Sequence, residues 1–445
     1  MTAHIAKILE SASAIAIETA TSQKRSAVII PFRSPSASTE CEAAIMDEEI
    51  PSVVQGDNDN SPSRASSPMI GASALIERAA LTRAVEIVNN VVERRSTVPI
   101  LSNIALRGTG DTLHLSATDL DIQIAATIPA AADLDFGTTL PAHLLKDLLK
   151  RATASDFVAI TTGDGRDALD FERVHYNLQS LSVADWPCLD RPEAEVFSFS
   201  LSGKAFWEAL DSTMGAMSKE ETRYYLNGVF MHTVDGPDGL NLVLAATDGH
   251  RLYRQVLQAP SGSAGMPGAI LPRKAVELLH KLMKGKACPE VVAISVNRSK
   301  VHVSFDGIQI TSKLVDGTFP DYQRVIPAWN DKKAALNAKI AIEAIRAVTL
   351  ISNERGRACK FTFTSGNCQL TVNNPDSGSA VADIACDYHG DPLEIGFNAG
   401  YMMAIINDAA GDGSSITMQL GEAGSPAVIT GGRAGWTGVC MPMRV

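Results

Sequence analysis

The chain has 445 residues, 45% of them hydrophobic, and a formal net charge of −11 at pH 7. This length suits roughly two to four domains, each able to bury an aliphatic core. The longest apolar runs fall short of the ~18 residues that a membrane-spanning helix needs. The seven cysteines form no CxxC pair and no Cys/His cluster, which argues against a zinc site and a disulfide framework and favours the reducing cytoplasm.

The first 68 residues differ from the rest of the chain. They contain clusters of Ser, Pro, Asp and Asn and show little hydrophobic periodicity. No sustained apolar core follows a basic start, so this segment is not typical of a signal peptide. We expect residues 1–68 to be a disordered N-terminal extension.

From residue 69 onward one pattern occurs three times, with a period of about 125–135 residues that is typical of a domain. Each repeat has an amphipathic helix, alternating strands, a second helix and more strands. The first helices are predicted at 74–92, 201–217 and 338–351, and the second at 140–152, 271–283 and 397–409. Tight turns join consecutive strands, which favours antiparallel sheets with helices on one face. We therefore expect an α+β protein with similar domains at 69–193, 194–322 and 323–445.

Basic residues concentrate in the predicted helices even though the whole chain is acidic. The second helices of the first two repeats carry Lys146, Lys150 and Arg151 against Asp147, and Arg273, Lys274 and Lys281 against Glu277. Any single helix of this kind can simply expose a solvated face. Recurrence at equivalent positions instead favours a shared basic surface that faces a polyanion.

Two short strings carry candidate chemistry. In Thr-Asp-Gly-His-Arg at 247–251, Asp248 and His250 are residue types used in acid–base catalysis. The chain supplies no nucleophile motif, and an Asp-Gly turn that closes a hairpin also explains the string. The string Arg-Tyr-Tyr at 223–225 has two possible interpretations. It can contact backbone phosphate and stack on bases, or its two tyrosines can be half-buried core residues.

Taken together and in order, the strings at 97–103, 117–121, 223–228, 246–252, 271–274, 312–322, 352–354 and 441–444 closely resemble one family. The chain is similar to the bacterial beta sliding clamps, the beta subunit of DNA polymerase III. The resemblance covers about residues 69–445. It implies three domains of the DNA-clamp fold in a head-to-tail homodimeric ring, with helices lining the pore and antiparallel sheets outside. It also implies a non-catalytic processivity factor without a metal or cofactor, threaded non-specifically on double-stranded DNA.

The resemblance implies three sets of site residues. A pocket between the second and third domains would bind clamp-binding peptides of the polymerase III alpha subunit, the clamp loader and other polymerases or repair proteins. Its residues are Leu226, Thr247, Gly249, His250, Arg251, Leu252, Pro320, Arg324, Val325, Asn398, Tyr401, Val439, Met441, Pro442, Met443 and Arg444. The DNA-binding positions are Arg95, His143, Glu220, Tyr224, Tyr225, Arg273 and Lys274. The dimer seam is expected to pair Tyr176 and Leu178 with Leu350 and Ile351 of the second chain.

Three alternatives remain open. Glu220 stands where the family usually has an uncharged polar residue, and His143 where a basic residue is usual. Both lower the attraction for phosphate. Together with the N-terminal extension and with Pro426, where a small polar residue is familiar in the family, they suggest a divergent clamp paralogue with altered partner choice. A hydrolase that uses Asp248 and His250 is the alternative from another class, and a structural scaffold without DNA is the third.

Overall fold

The computed structural model describes residues 71–352, 358–411 and 413–445, so the predicted extension at 1–68 lies outside the described residues. Within these ranges one unit occurs six times: a strand runs directly into a helix, and three antiparallel strands follow. Two such units make each domain.

Domain 1 begins with β1 (Ser73–Glu77), α1 (Arg78–Val88), β2 (Asn103–Gly108), β3 (Thr112–Thr118) and β4 (Ile122–Pro129). After the two-residue strand β5 (Ala131–Ala132), its second unit comprises β6 (Gly137–Pro141), α2 (Ala142–Arg151), β7 (Phe157–Thr161), β8 (Arg166–Asp170) and β9 (His175–Gln179).

Domain 2 repeats this order. Its first unit comprises β10 (Phe197–Ser202), α3 (Gly203–Met214), β11 (Gly228–Gly236), β12 (Gly239–Thr247) and β13 (Arg251–Gln258). Its second unit comprises β14 (Ala269–Pro272), α4 (Arg273–Leu282), β15 (Val291–Val296), β16 (Lys300–Phe305) and β17 (Ile308–Lys313).

Domain 3 has the same two units. The first comprises β18 (Lys332–Asn337), α5 (Ala338–Val348), β19 (Ala358–Thr364), β20 (Asn367–Asn374) and β21 (Gly378–Tyr388). The second comprises β22 (Leu393–Asn398), α6 (Ala399–Ala410), β23 (Ser415–Leu420), β24 (Ala427–Thr430) and β25 (Trp436–Cys440).

The predicted starts of five helices were too early, because a strand continues to the residue before the helix. The helix predicted at 74–92 is β1 followed by α1, and the one predicted at 201–217 begins only at Gly203. Pro141 and Pro272 mark two of these junctions, each as the last residue of a strand and directly before a helix. Proline has no N–H, but the first helical residues need no intrahelical donor, so it suits such a junction. Strand and helix bury adjacent apolar residues, and the sequence pattern alone merged them.

At each of the two domain junctions, the last strand of one domain's first unit pairs with the last strand of the next domain's second unit. At the first junction β4 pairs antiparallel with β17, and at the second β13 pairs antiparallel with β25. These pairings join strands of different domains into sheets of eight and twelve strands, beside a five-stranded sheet that ends in β9. Main-chain hydrogen bonds therefore fix how consecutive domains meet.

Two apolar clusters hold the described chain together. The larger lies between helices and sheets and extends from Ala74 in β1 to Cys440 in β25. In α1, for example, Leu81, Val85 and Val88 are fully or almost fully buried. Each such side chain contributes about 1.5–3 kcal/mol on burial. The smaller cluster includes Leu226, Leu252 and Val439 and lies where domains 2 and 3 meet.

Candidate functional site

The turn at 247–251 is held by its own side chains. Thr247 Oγ1 donates to the Arg251 carbonyl oxygen at 2.7 Å and accepts from the Gly249 amide at 3.1 Å. Asp248 Oδ1 accepts from the amides of His250 and Arg251 at 2.9 and 3.0 Å. Gly249 has φ +89°, a conformation that favours glycine. The Asp248 carboxylate therefore fixes the turn and is not free to act as a base toward His250.

Arg251 and His250 bring this turn of domain 2 against domain 3. Arg251 Nε bonds to Asp248 Oδ2 at 3.0 Å, and its guanidinium lies 4.8 Å from the Tyr401 ring centroid. The His250 ring stacks on the same Tyr401 ring, with centroids 5.8 Å apart. Asn398 caps the helix that carries Tyr401, because its Oδ1 accepts a hydrogen bond from the Tyr401 backbone amide at 3.2 Å. Burial, together with the charge of Asp248, raises the pKa of Tyr401.

The C-terminal residues are tied to both domains. Met441 donates its amide to the His250 carbonyl oxygen at 2.9 Å, and Met443 donates to the Gly396 carbonyl oxygen at 2.9 Å. These bonds extend the β13–β25 pairing toward β22. The Met441 side chain remains 38% exposed. The tail thus holds apolar side chains at the rim of the domain junction.

An apolar floor lies beside this rim. Leu226, Leu252 and Val439 are buried in one cluster with Val428, Phe319 and Tyr322. Most of the pocket residues predicted from the sequence are therefore brought together, on the 247–252 turn, the end of β25, the tail and the start of α6. Pro320, Arg324 and Val325 follow on the connector between the domains. Arg324 is exposed and pairs with Asp321 at 2.7 Å.

The sequence reasoning missed several residues of this floor. Val428 contributes through the pairing of β24 with β25, which no local motif encodes. Phe319 and Tyr322 lie in the string at 312–322, and their aromatic side chains were the feature that could have indicated a buried role. Phe319 stacks on Phe230 at 4.8 Å, and Tyr322 lies edge-on to His232 at 5.7 Å. These contacts anchor the interdomain connector on the sheet of domain 2.

The positions predicted to contact DNA have varied surroundings. Arg95 is exposed, and Tyr224 is 54% exposed in an edge-on pair with Tyr225 at 5.8 Å. Arg273 donates to the carbonyl oxygens of Met217 and Ser218 at 3.0 and 2.6 Å.

The remaining predicted DNA positions have partners or are partly buried. Lys274 pairs across the first domain junction with Glu93 at 3.4 Å and with Asp119. Burial opposes the charge on Lys274, but the bonds and charges of these carboxylates outweigh it and raise its pKa. Glu220 pairs with Arg223 at 2.8 Å, and the ring nitrogen Nε2 of the half-buried His143 has no hydrogen-bond partner among the described residues.

The positions predicted for the dimer seam lie in domain 1 and in domain 3. Tyr176 and Leu178 are on β9, where Leu178 is only 8% exposed and packs in the core of its own domain. Leu350 is 84% exposed, and the neighbouring Ile351 accepts a hydrogen bond from Asn374 of β20 at 2.7 Å. The Leu178 side chain is therefore almost fully enclosed within its own chain.

Comparison with known proteins gives the family. The family models of the DNA polymerase III beta subunit match in order: the N-terminal domain at 73–190, the central domain at 200–321 and the C-terminal domain at 323–444. The chain belongs to the DNA polymerase III beta subunit family, the beta sliding clamps. Its α+β architecture of three clamp domains is therefore confirmed, and so is the prediction of a non-catalytic processivity factor. The hydrolase alternative is set aside.

Named relatives and solved structures agree with this assignment. The beta sliding clamp of Caulobacter vibrioides is 38% identical over 373 residues, which is 83% of this chain and 99% of the relative. That of Escherichia coli K12 is 33% identical over 334 residues, 75% of this chain and 89% of the relative. The Bartonella birtlesii sliding clamp, solved bound to griselimycin, is 39% identical with a TM-score of 0.78 over 84% of this chain and 100% of that one. In the described part of the chain, no helix is long and apolar enough to cross a membrane.

Proposed function

We propose that two copies of this chain close head to tail into a ring that encircles duplex DNA and tethers DNA polymerase III through the pocket between domains 2 and 3. The domains are taken as 69–193, 194–322 and 323–445, and all three family matches fall within these limits. The observation that carries the proposal is that β9 and residues 378–385 of β21 each leave one strand edge unpaired among the described residues.

The pairing rule within the chain predicts the dimer. Both domain junctions join the last strand of one unit to the last strand of another, β4 to β17 and β13 to β25. Among the described residues, β9 pairs only with β8, and residues 378–385 of β21 pair only with β20. Unpaired strand edges favour pairing with another chain. If β9 of one copy joins β21 of the next, the third junction repeats the first two and the ring closes, as a head-to-tail contact with the right rotation does.

Exposed apolar side chains support the same seam. Leu350 is 84% exposed and Val381 on β21 is 56% exposed, both beside this edge. Burial of a large apolar side chain at an interface contributes about 1.5–3 kcal/mol. Tyr176 on β9 is only partly covered within its own chain, where its ring lies edge-on to Phe171 at 5.9 Å.

The helices are proposed to face the DNA. They pack in pairs, α1 with α2, α3 with α4 and α5 with α6, so that each domain presents two helices on one face of its sheets. The exposed residues of α2 include Lys150 and Arg151, and those of α4 include Lys274 and Lys281. A closed ring stays on DNA by topology, so weak and non-specific phosphate attraction is enough. The ion pairs of Lys274 with Glu93 and Asp119, and of Glu220 with Arg223, lower the attraction for DNA phosphates further. A threaded ring tolerates this loss because it is held on the DNA by topology.

The pocket is proposed to bind an extended peptide with apolar side chains. Its floor is apolar at Leu226, Leu252 and Val439, and its rim carries Met441 and Met443. Methionine side chains adapt to different partners. Exposed main-chain groups at the rim would orient the peptide.

The proposal is tested with a fluorescein-labelled clamp-binding peptide of the polymerase III alpha subunit. We expect saturable binding with one peptide per chain. Replacement of the buried Leu252 by Gln is expected to lower the melting temperature and to abolish peptide binding in a dimer that is still folded at the assay temperature. Leu134→Ala, at an exposed turn in domain 1, serves as the control and leaves binding unchanged. Equal affinity of Leu252→Gln and the unaltered chain would contradict the pocket.

A further inference from the structure

The junction between domains 1 and 2 has the same frame as the junction that carries the pocket. In the pocket junction, Leu252 of β13 lies opposite Val439 of β25, and Val428 of β24 lies opposite Val439. In the first junction, Gln123 of β4 lies opposite Thr311 of β17, and His302 of β16 lies opposite Thr311. The register therefore equates Leu252 with Gln123, Val439 with Thr311 and Val428 with His302.

The turns that precede these strands are also equivalent. Thr118 Oγ1 donates to the Ile122 carbonyl oxygen at 2.9 Å and accepts from the Leu120 amide at 3.0 Å. Asp119 Oδ1 accepts from the amides of Asp121 and Ile122 at 3.0 and 2.7 Å. Leu120 adopts φ +77°, close to the φ of +89° at the pocket turn. These are the hydrogen bonds that fix the turn at 247–251, so the two backbones have the same local shape.

The connectors that run over the two junctions share a sequence pattern. In each, an aromatic residue is followed by Pro, and Arg comes four positions after the Pro: Trp186, Pro187 and Arg191, then Phe319, Pro320 and Arg324. Trp186 is 6% exposed and Phe319 is 7% exposed. The first junction therefore has the strands, the turn and the covering connector of the pocket.

The lining differs, because polar residues replace apolar ones at the equivalent positions. Leu252, Val428 and Val439 of the pocket correspond to Gln123, His302 and Thr311. The same change continues along the neighbouring strands, where the register matches Val243 with His114 and Ala245 with Ser116.

These polar groups are already engaged or enclosed. His302 Nδ1 bonds to Thr311 Oγ1 at 2.9 Å, and its Nε2 is buried with no hydrogen-bond partner among the described residues. Gln123 Oε1 accepts from the Leu189 amide at 2.9 Å. Gln309 Oε1 accepts from Arg191 Nη2 at 2.6 Å. Together they line a cavity of about 180 Å³. An apolar side chain placed there would remove water from polar groups and offer no hydrogen bond in return.

We infer that Gln123, His302 and Thr311 prevent the domain 1–2 junction from accepting clamp-binding peptides, and so confine partners to one pocket per chain. Discrimination between two similar sites requires that one of them disfavour the ligand. Here the frame of strands, turn and connector is kept, and the polar floor disfavours the peptide. The inference rests on the proposed function of the domain 2–3 pocket.

The test converts the floor in the full chain by Gln123→Leu, His302→Val and Thr311→Val. Isothermal titration with the labelled alpha-subunit peptide is expected to give one peptide per unaltered chain and two per converted chain. The matched control is the reciprocal exchange, Leu252→Gln, Val428→His and Val439→Thr, which is expected to bind none. Combining both sets is expected to restore binding of one peptide per chain, now at the first junction.

The outcomes separate the two proposals. A folded converted dimer that still binds one peptide overturns the inference, and so does a reciprocal variant that retains a peptide at the first junction. An unaltered chain that binds no peptide overturns the proposed function instead. If the triple conversion does not give a dimer with the original melting temperature, Gln123→Leu with Thr311→Val is used. A second, weaker binding step then supports the inference, and its absence contradicts it.

Discussion

Replacement of Leu350 by Ala tests the ring most sharply, because its side chain is 84% exposed in the single chain. Removal of an exposed side chain changes the free energy of unfolding of the single chain little. At a seam, the loss of about three buried carbon groups at ~0.8 kcal/mol each weakens the contact by roughly 2 kcal/mol. A ring of two chains has two identical seams, so the dimer loses about 4–5 kcal/mol, or on the order of 1,000-fold in its dissociation constant.

Sedimentation velocity across a dilution series from micromolar to nanomolar measures this change. Leu350→Ala is expected to become monomeric at a concentration where the unaltered chain is a dimer, and addition of Ile351→Ala is expected to increase the effect. Leu134→Ala is the matched control, since Leu134 is also 84% exposed but lies next to β5, at the end of the five-stranded sheet opposite β9. A dissociation constant unchanged by Leu350→Ala, or raised equally by Leu134→Ala, would refute the seam.

Deletion of residues 441–445 removes the hydrogen bonds that the Met441 and Met443 amides donate, and is expected to lower the free energy of unfolding by about 1–3 kcal/mol. Peptide affinity, measured by fluorescence polarisation, is expected to fall by at least 100-fold. Unchanged affinity would count against the tail as part of the pocket. Asp248→Ala is expected to lower the melting temperature and the peptide affinity together, because the carboxylate holds the turn at 247–251; a variant as stable as the original would show that the turn does not need it. Burial and the charge of Arg191 lower the pKa of His302 to about 4, below the ~6.5 of an unfolded chain, so its contribution to stability is present above pH 6.5 and is lost as the pH falls toward 4. Urea unfolding at pH 7 and at pH 4 measures this loss. Between the two pH values, the free energy of unfolding of His302→Gln is expected to fall by about 3 kcal/mol less than that of the original chain. Equal decreases would contradict a neutral buried imidazole.

Local patterns in the sequence predicted much of this fold, and the parts they missed depend on long-range pairing. Helical periodicity located all six described helices, yet Pro141 and Pro272 end strands that the same apolar pattern had merged with the helices. The turn at 247–251 could be predicted because its hydrogen bonds are local.

The floor of the pocket and the seam could be predicted only in part. Val428 reaches the pocket through the pairing of β24 with β25, and Leu178 faces its own core because of its register on β9. Neither pairing leaves a mark in the neighbouring sequence. The resemblance to sliding clamps supplied the pocket positions that periodicity could not.

The paralogue alternative concerns partner choice and is decided by comparison of peptides. A principal clamp is expected to bind peptides of the replicative and repair polymerases with affinities within about tenfold, which is 1.4 kcal/mol. Selective loss of the replicative peptide would favour the paralogue.

Retention on circular DNA tests the central claim most directly. After the clamp loader has placed the labelled protein on nicked circular DNA, the protein is expected to stay bound in high salt, because threading does not depend on phosphate contacts. Linearisation of the same DNA is expected to release it from the free ends. Equal retention on circular and linear DNA, or release from both in high salt, would contradict a ring that encircles the duplex.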